Sequence, residues 1–488
     1  MRSKLKPLLI LLTLLVGLAL RFYRLEQPIA DWHSHRQADT ASVTRNFATL
    51  GINLFKPTYH DLSNVQSGLD NPHGYRFVEF PVYNLVSTLL HQTTKHFGFS
   101  LETTSRLVSI LFSLGSSLII FFFTRQLTNH FLPAWLSQII FLILPYNVFY
   151  SRTVLPEPTA AFFMLLSLIL FKNRPTLSSI SLCLSILVKP YTAIIIFPAL
   201  VLYHRHHHLK TNLLFALTTL TPFLLWRLWM KQFPEGIPVS TWLLNTQGTP
   251  FLPEWFHGIN LTWINHLVAF RPHWFRWLFF DRISNLILGS YGLIALFAGL
   301  LYRHRLTQNT TKSFIIGILL YFIIIAQGNI QHDYYQVLTI PFIAILSGIG
   351  YYYLLRFTFT SPILSLASAL VLFIFSVYFS WEKIKTYYII NNPNIITAGQ
   401  EANRLLPPTA LVIAPYVGDT AFLYQTKRSG WPTEIYDIDS LKKQHPNAPL
   451  YLVSVNYDSY TSSLINQFPA IAKNNNYVIL DLNSTHDY

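Results

Sequence analysis

Apolar runs close to membrane-spanning length recur along this chain, and nothing else about it restricts the fold as strongly. LVSILFSLGSSLIIFFFT (107–124) and SPILSLASALVLFIFSVYFS (361–380) are typical. A bilayer core offers no water to backbone N–H and C=O groups, so a run that crosses it must be helical or part of a closed barrel. A crossing helix needs roughly 20 mostly apolar residues. Runs of this kind lie near 7–23, 106–124, 131–149, 156–171, 176–188, 191–203, 212–229, 284–302, 313–328, 336–355 and 362–380. Charged residues make up only 11% of the chain, against about 25% in soluble domains, and the mean hydropathy is +0.35. The expectation is a polytopic α-helical membrane protein of about eleven spans with a small soluble α/β domain at its C-terminal end.

The loops orient these spans. With the N-terminus inside, Arg125, Lys172, Arg174, Arg205, Lys210, Arg303, Arg305 and Arg356 fall in short loops on one side, as the positive-inside rule requires. Reading 176–188 and 191–203 as one helix kinked at Lys189-Pro190 would flip YHRHHHLK and YRHR to the other side, so two spans are preferred. The same pattern removes a nucleic-acid reading of the +14 net charge, because the basic residues sit in clusters between apolar runs. The lone Cys183 lies in an apolar run; it permits neither a disulfide framework nor a thiolate zinc site. No small-x-small cleavage site follows the first run, where Arg21, Phe22, Tyr23 and Arg24 come next, so it is expected to persist as the first helix.

This topology makes 24–105 and 231–283 large outer loops within a transmembrane domain, 1–382. The second loop carries Trp242, Trp255, Trp263, Trp274 and Trp277, as expected of chain at the headgroup level. FPVYNLVSTLLHQTTKHFG (80–98) suits a helix lying in the interface. Beyond 382 the texture changes. TALVIAPYV (409–417), PLYLVSVN (449–456) and YVILDLN (477–483) are strand-like runs, while ITAGQEANRLL and TSSLINQFPAIAK have helical spacing. Residues 383–488 are therefore expected to form an extracytoplasmic α/β domain, and the chain to reside in the cytoplasmic (inner) membrane.

Ionisable residues near spans are costly and mark candidate sites. Four clusters stand out: Asp31, His33, His35, Arg36 and Asp39; Arg76 and Glu79 in RFVEFPVYN; Arg152 and Glu157 in YSRTVLPEP; and His332, Asp333, Tyr334, Tyr335 and Gln336 in GNIQHDYYQ. In the eleven-span topology all four, with Lys189, face outward, although the loop assignment did not use them. Bland readings compete: Arg152 with Glu157 as a solvated ion pair worth under about 1 kcal/mol, and HDYYQ as an interfacial tyrosine belt. Asp31, His33 and His35 could share a strand face as metal ligands, so a divalent metal stays open without being required. Arg45 is expected to anchor its helix to headgroups.

Carboxylates among Arg, Lys, His and Tyr at a lipid boundary suit an anionic lipid phosphate and a polar acceptor. Cations can hold a phosphate leaving group and a carboxylate can take the proton of an incoming hydroxyl. No Walker or G-x-G-x-x-G motif offers a nucleotide site. A transporter or flippase of lipid-linked substrates is the alternative, though no inverted repeat supports it.

RQADTASVTRNF, VEFPVYN, SRTVLPEP, LVKPYTAIIIFPAL and QHDYYQVLTIPFIAILSGIG, in that order, together resemble the GT-C glycosyltransferases of the protein O-mannosyltransferase and lipid A aminoarabinose transferase type. YQTKRSGW (424–431) in the tail also resembles bacterial members. The resemblance implies a polyprenyl-phosphate-linked sugar donor, a protein, lipid or glycan acceptor, surrounding membrane lipid, and an inverting single displacement. It also implies a catalytic acid in the first outer loop. Many members place an Asp-Glu pair there, but counting back from Arg45 those positions hold Arg36 and Gln37. The available acids are Asp39, preferred because it lies inside RQADT, and Asp31. The family's Glu-Lys-Pro is Glu79-Phe80-Pro81 here, without the lysine, so Arg36, Arg152 or Lys189 is left to bind phosphate.

Overall fold

The computed structural model describes residues 5–203, 208–239, 276–302 and 305–484. Trp242, Trp255, Trp263 and Trp274 of the second outer loop, and most of the His run, lie outside these residues. The chain divides into two compact units. One takes in 1–25, 106–226 and 240–387; the other combines 26–105 and 227–239 with 388–488.

Among the described residues, Leu101–Thr128, Leu209–Met230, Asp333–Phe357 and Pro362–Tyr388 are long and apolar enough to cross a membrane. Leu213, Leu217, Leu224 and Leu228 of the second of these are each more than half exposed, which suits a lipid-facing helix. Several expected spans are interrupted. The run at 131–149 becomes Phe131–Ile143 and Pro145–Tyr150, because Pro145 contributes no N–H to the ladder. Pro175–Val188 and Tyr191–Tyr203 are separate helices, each about 20 Å long beside a hydrocarbon core of about 30 Å.

The run at 284–302 breaks most sharply. The wide helical turns of Arg276–Ile287 meet the helix Gly292–Leu300 at 113°. Gly289 takes a left-handed φ of 54° there, and a Cβ on it would lie 2.0 Å from the Ser376 carbonyl oxygen. Hydroxyls brace the break: Ser376 Oγ donates to Leu288 O at 2.6 Å and Ser380 Oγ to Leu286 O at 2.8 Å, and Leu288 O also accepts from Gly292 N. Small residues set other close approaches. A Cβ on Gly350 would sit 1.7 Å from Ala295 O, and one on Gly348 2.4 Å from Ser137 N. Arg21, Arg106 and Arg152 are fully buried in this unit. Arg21 ties the first helix to the rest by donating to Leu142 O and Ser151 Oγ.

The second unit is built on a mixed sheet. Its strands are β1 (Leu411–Ile413), β2 (Ser429–Trp431), β3 (Leu450–Ser454), β4 (Ala470–Lys473) and β5 (Val478–Asp481), in the order β2-β1-β3-β5-β4. β1 runs parallel to β2 and β3, while β5 runs antiparallel to β3 and β4. Ile413, Trp431, Leu452, Phe468 and Leu480 form its core together with Leu62 from the first long loop. That loop also continues the hydrogen-bonding: Gly430 N donates to His60 O and Leu62 N to Gly430 O. The expected runs at 409–417, 449–456 and 477–483 contain β1, β3 and β5. The helix Ser459–Ile465 covers only the first five residues of TSSLINQFPAIAK; its end is β4, beyond Pro469, which cannot continue a helix. FPVYNLVSTLLHQTTKHFG carries the helix Val82–Thr94.

Candidate active site

The helix Ser34–Leu50 is buried without interruption from Arg36 to Thr44. A helix buried on all sides is ordinarily apolar; this one carries Arg36, Gln37, Asp39, Thr40, Ser42 and Thr44. Buried polar groups must find partners, and the first long loop supplies most of them. Asn84 Nδ2 donates to Thr40 O at 2.8 Å and Thr44 Oγ1 at 2.9 Å, and Ser42 Oγ lies 3.3 Å from His60 Nδ1.

Asp39 is 1% exposed. Arg76 Nη2 meets its Oδ2 at 2.5 Å, and Thr420 Oγ1 donates to its Oδ1 at 2.6 Å. Arg76 is fixed in turn by Gln66 Oε1 at 3.1 Å and lies over the Tyr59 ring. A carboxylate has about four lone-pair sites, so these two contacts orient Asp39 without exhausting it. Arg36 forms a buried ion pair with Glu79. Asp31, equally buried, accepts from Gln37 Nε2 at 2.7 Å. Burial lowers the His35 pKa to about 4, against the weaker upward pull of Asp39. Burial raises Asp61 to about 6, and the Asp39 charge adds to that.

Two expectations change here. His33 is the left-handed residue that precedes the helix and His35 lies within it, so no strand face aligns them with Asp31. Among the described residues no three His, Cys, Asp or Glu side chains come together as metal ligands. Arg45 is not a headgroup anchor. Its guanidinium stacks 3.7 Å from the Tyr424 ring centre, donates to Tyr424 O and pairs with Glu102 at 3.0 Å, because a half-buried guanidinium is better served by a carboxylate and an aromatic face.

The remaining expected residues lie in the other unit. Glu157 pairs with Lys189 Nζ at 2.7 Å, both buried. Arg152 donates to Arg24 O at 3.1 Å, so the competing reading of Arg152 and Glu157 as a solvated ion pair is not what the structure shows. Lys189 lies 6.0 Å from the centre of the Tyr335 ring, which stacks on Tyr191. His332 stacks on Tyr334. Gln336 Nε2 is engaged by Asn329 through both O and Oδ1. Asp333 is more than a belt residue: Tyr150 OH donates to Oδ1, Tyr387 OH to Oδ2, and Arg282 Nη1 lies 3.5 Å from Oδ2. Sequence reasoning does not find Tyr387, Arg282 or Thr420, and does not join Arg76 to Asp39. Only the adjacency of Tyr150 to Ser151-Arg152 hints at its role.

No family model matches the sequence, and no curated protein does either. Solved structures do. ArnT from Cupriavidus metallidurans in the apo state aligns over 96% of this chain and 97% of its own, with a TM-score of 0.63 at 13% identity. The same protein bound to undecaprenyl phosphate gives 0.61 over the same spans, again at 13% identity. The oligosaccharyltransferase of Archaeoglobus fulgidus aligns over 93% of this chain and 70% of its own, at 0.58 and 10% identity. The chain has the GT-C fold. The fold resemblance read from five short motifs is thereby borne out over nearly the whole length. In the GT-C fold as this chain builds it, RQADT lies on the buried polar helix, and QHDYYQ opens the helical stretch Asp333–Phe357.

Proposed function

We propose that this protein is a membrane glycosyltransferase that moves a sugar, with inversion, from a polyprenyl-phosphate carrier to an acceptor at the outer face of the cytoplasmic membrane. The observation that carries this reading is Asp39. It is a buried carboxylate held by Arg76 and Thr420, on a helix that is polar although buried from Arg36 to Thr44. The GT-C fold, shared with a protein solved with undecaprenyl phosphate bound, supports the donor class.

Asp39 acts as base. The acceptor hydroxyl gives its proton to a free lone pair of Asp39 as its oxygen attacks the anomeric carbon. The bond from that carbon to the phosphate oxygen breaks, and the electron pair leaves with the carrier phosphate. Charge grows on that phosphate, so cations that meet it in the transition state lower the barrier. Arg36, on the same buried helix as Asp39, is assigned this role. Arg152, Lys189, Glu157 and the His332–Gln336 segment are assigned to donor binding, and 383–488 to an extracytoplasmic domain beyond the transmembrane portion, 1–382.

The flippase reading draws on one observation, the broken helix at 288–291, since transporters use discontinuous helices. Here the Ser376 and Ser380 hydroxyls bond carbonyls at the break, and Gly289 packs against Ser376, which makes the break a packing feature. Purified protein in nanodiscs, given a polyprenyl-phosphate sugar and cell-envelope acceptors, should consume donor. Asp39→Asn should abolish transfer while the protein stays folded, and full activity in that variant would overturn the assignment. Loss in Asp31→Asn alone would move the base to Asp31.

A further inference from the structure

The sheet-bearing unit carries an open cleft of about 290 Å³, close to the lower limit of the roughly 300–1,000 Å³ of small-molecule sites. It opens beyond the carboxyl end of β2, the side on which parallel α/β sheets leave crevices for ligands. Its walls are fixed by backbone and side-chain hydrogen bonds. Leu62 N donates to Gly430 O, Asn71 N to Leu62 O, and Asn71 Nδ2 closes the loop onto Tyr75 O.

The lining has a distinct chemistry. Asn64 and Asp70 come from the loop, Trp431 and Thr433 from the end of β2, and Gln444 and His445 from the end of the helix Ile438–Gln444. No Lys or Arg lines it, so an anion would lack a counter-charge. The Asp437 Oδ1 caps its helix by accepting from Ser440 N at 2.8 Å, and no metal-ligand trio forms among the described residues. The side chains of Asn64, Asp70, Thr433 and Gln444 make no hydrogen bond to the described protein residues, and burial lowers the His445 pKa. What remains is Asn64, Thr433 and Gln444, which both donate and accept, and Asp70, which accepts only, beside an aromatic edge where Trp431 meets His445 at 5.5 Å. Neighbouring hydroxyls on a ring satisfy such groups in pairs, and the C–H face of the ring suits an aromatic edge.

We propose that this cleft binds a neutral saccharide, the acceptor-side glycan of the transfer. The ligand class follows from the lining; the acceptor role rests on the transferase reading above. The test uses the full chain in nanodiscs and saturation-transfer NMR with maltose, lactose, cellobiose and N,N′-diacetylchitobiose as probes. At least one should show transfer. The doubly substituted Asp70→Ala, Gln444→Ala protein, altered at exposed positions, should bind that probe about tenfold more weakly, the loss expected for one or two hydrogen bonds. The same variant should keep the wild-type thermal unfolding midpoint. No transfer from any probe, or transfer equal in wild type and variant, overturns the proposal. Probe binding that persists in Asp39→Asn while sugar transfer is unaffected would fail the base assignment and leave the saccharide site standing.

Discussion

Asp39 and Arg76 are each other's reason for being buried. Two charges removed from water are tolerable only while paired, and deleting one leaves the other uncompensated, at a cost of about 3–5 kcal/mol. Arg76→Ala should therefore destabilise the protein by about that much in chemical denaturation, and more than Asp39→Asn, which keeps a polar partner for the guanidinium. His35 sets a second expectation. Its pKa falls from 6.5 unfolded to about 4 folded, mainly through burial, with His33, Arg36 and Arg76 pushing it down and Asp39 pulling it up. A base held neutral in the fold contributes stability above its unfolded pKa, and that contribution drains as pH falls from about 6.5 to about 4. His35→Gln should lose less thermal stability than wild type between pH 7 and pH 4.5; equal losses would mean that His35 is hydrated in solution. At this scale the sequence singled out the acid but not its partners, because Arg76 and Thr420 lie 37 and 381 residues away and no local spacing joins them.

Helix–helix packing in the transmembrane unit depends on absent side chains. Gly350 lets the helix Ile340–Phe357 approach the helix Gly292–Leu300 until its missing Cβ would overlap the Ala295 carbonyl. Gly350→Val should cost about 1–3 kcal/mol or more through overpacking, read as lost monodisperse protein in detergent. Gly289→Ala should cost as much by another route, since it combines a left-handed backbone with a clash against Ser376 O. Apolar runs announce that helices exist, but not where they break. LILGSYGLIALFAGL offers one local hint, the Gly289-Ser290 pair where a helix can kink, but the 113° bend also depends on Ser376 standing against Gly289. The three-residue β2, SGW, is equally silent: it is too short to alternate, and it becomes a strand because β1 and His60–Leu62 flank it.

The proposed orientation of the whole molecule can be tested with one native thiol to remove. In a Cys183→Ala background, Asp439→Cys should react with a membrane-impermeant maleimide on intact spheroplasts, and Lys172→Cys only after lysis. The reverse pattern would invert the topology. Residues 26–105 and 388–488 fold as one unit although more than 280 residues separate them, so truncating the C-terminal tail should also destabilise the loop that carries Asp39, visible as faster proteolysis of 26–105.

Membrane residence, helical class, the strand-like runs of the tail and the GT-C resemblance all follow from the sequence alone. They rest on composition, on periodicity and on motif order, which are properties of neighbouring residues. Tertiary structure alone decided that Arg76 and Thr420 aim Asp39, that Arg45 serves Tyr424 and Glu102 rather than lipid, that Glu157 takes Lys189 and not Arg152, and that Asp333 gathers Tyr150, Tyr387 and Arg282. A buried charge takes whichever partner the fold brings within hydrogen-bond reach, and sequence distance carries no information about that.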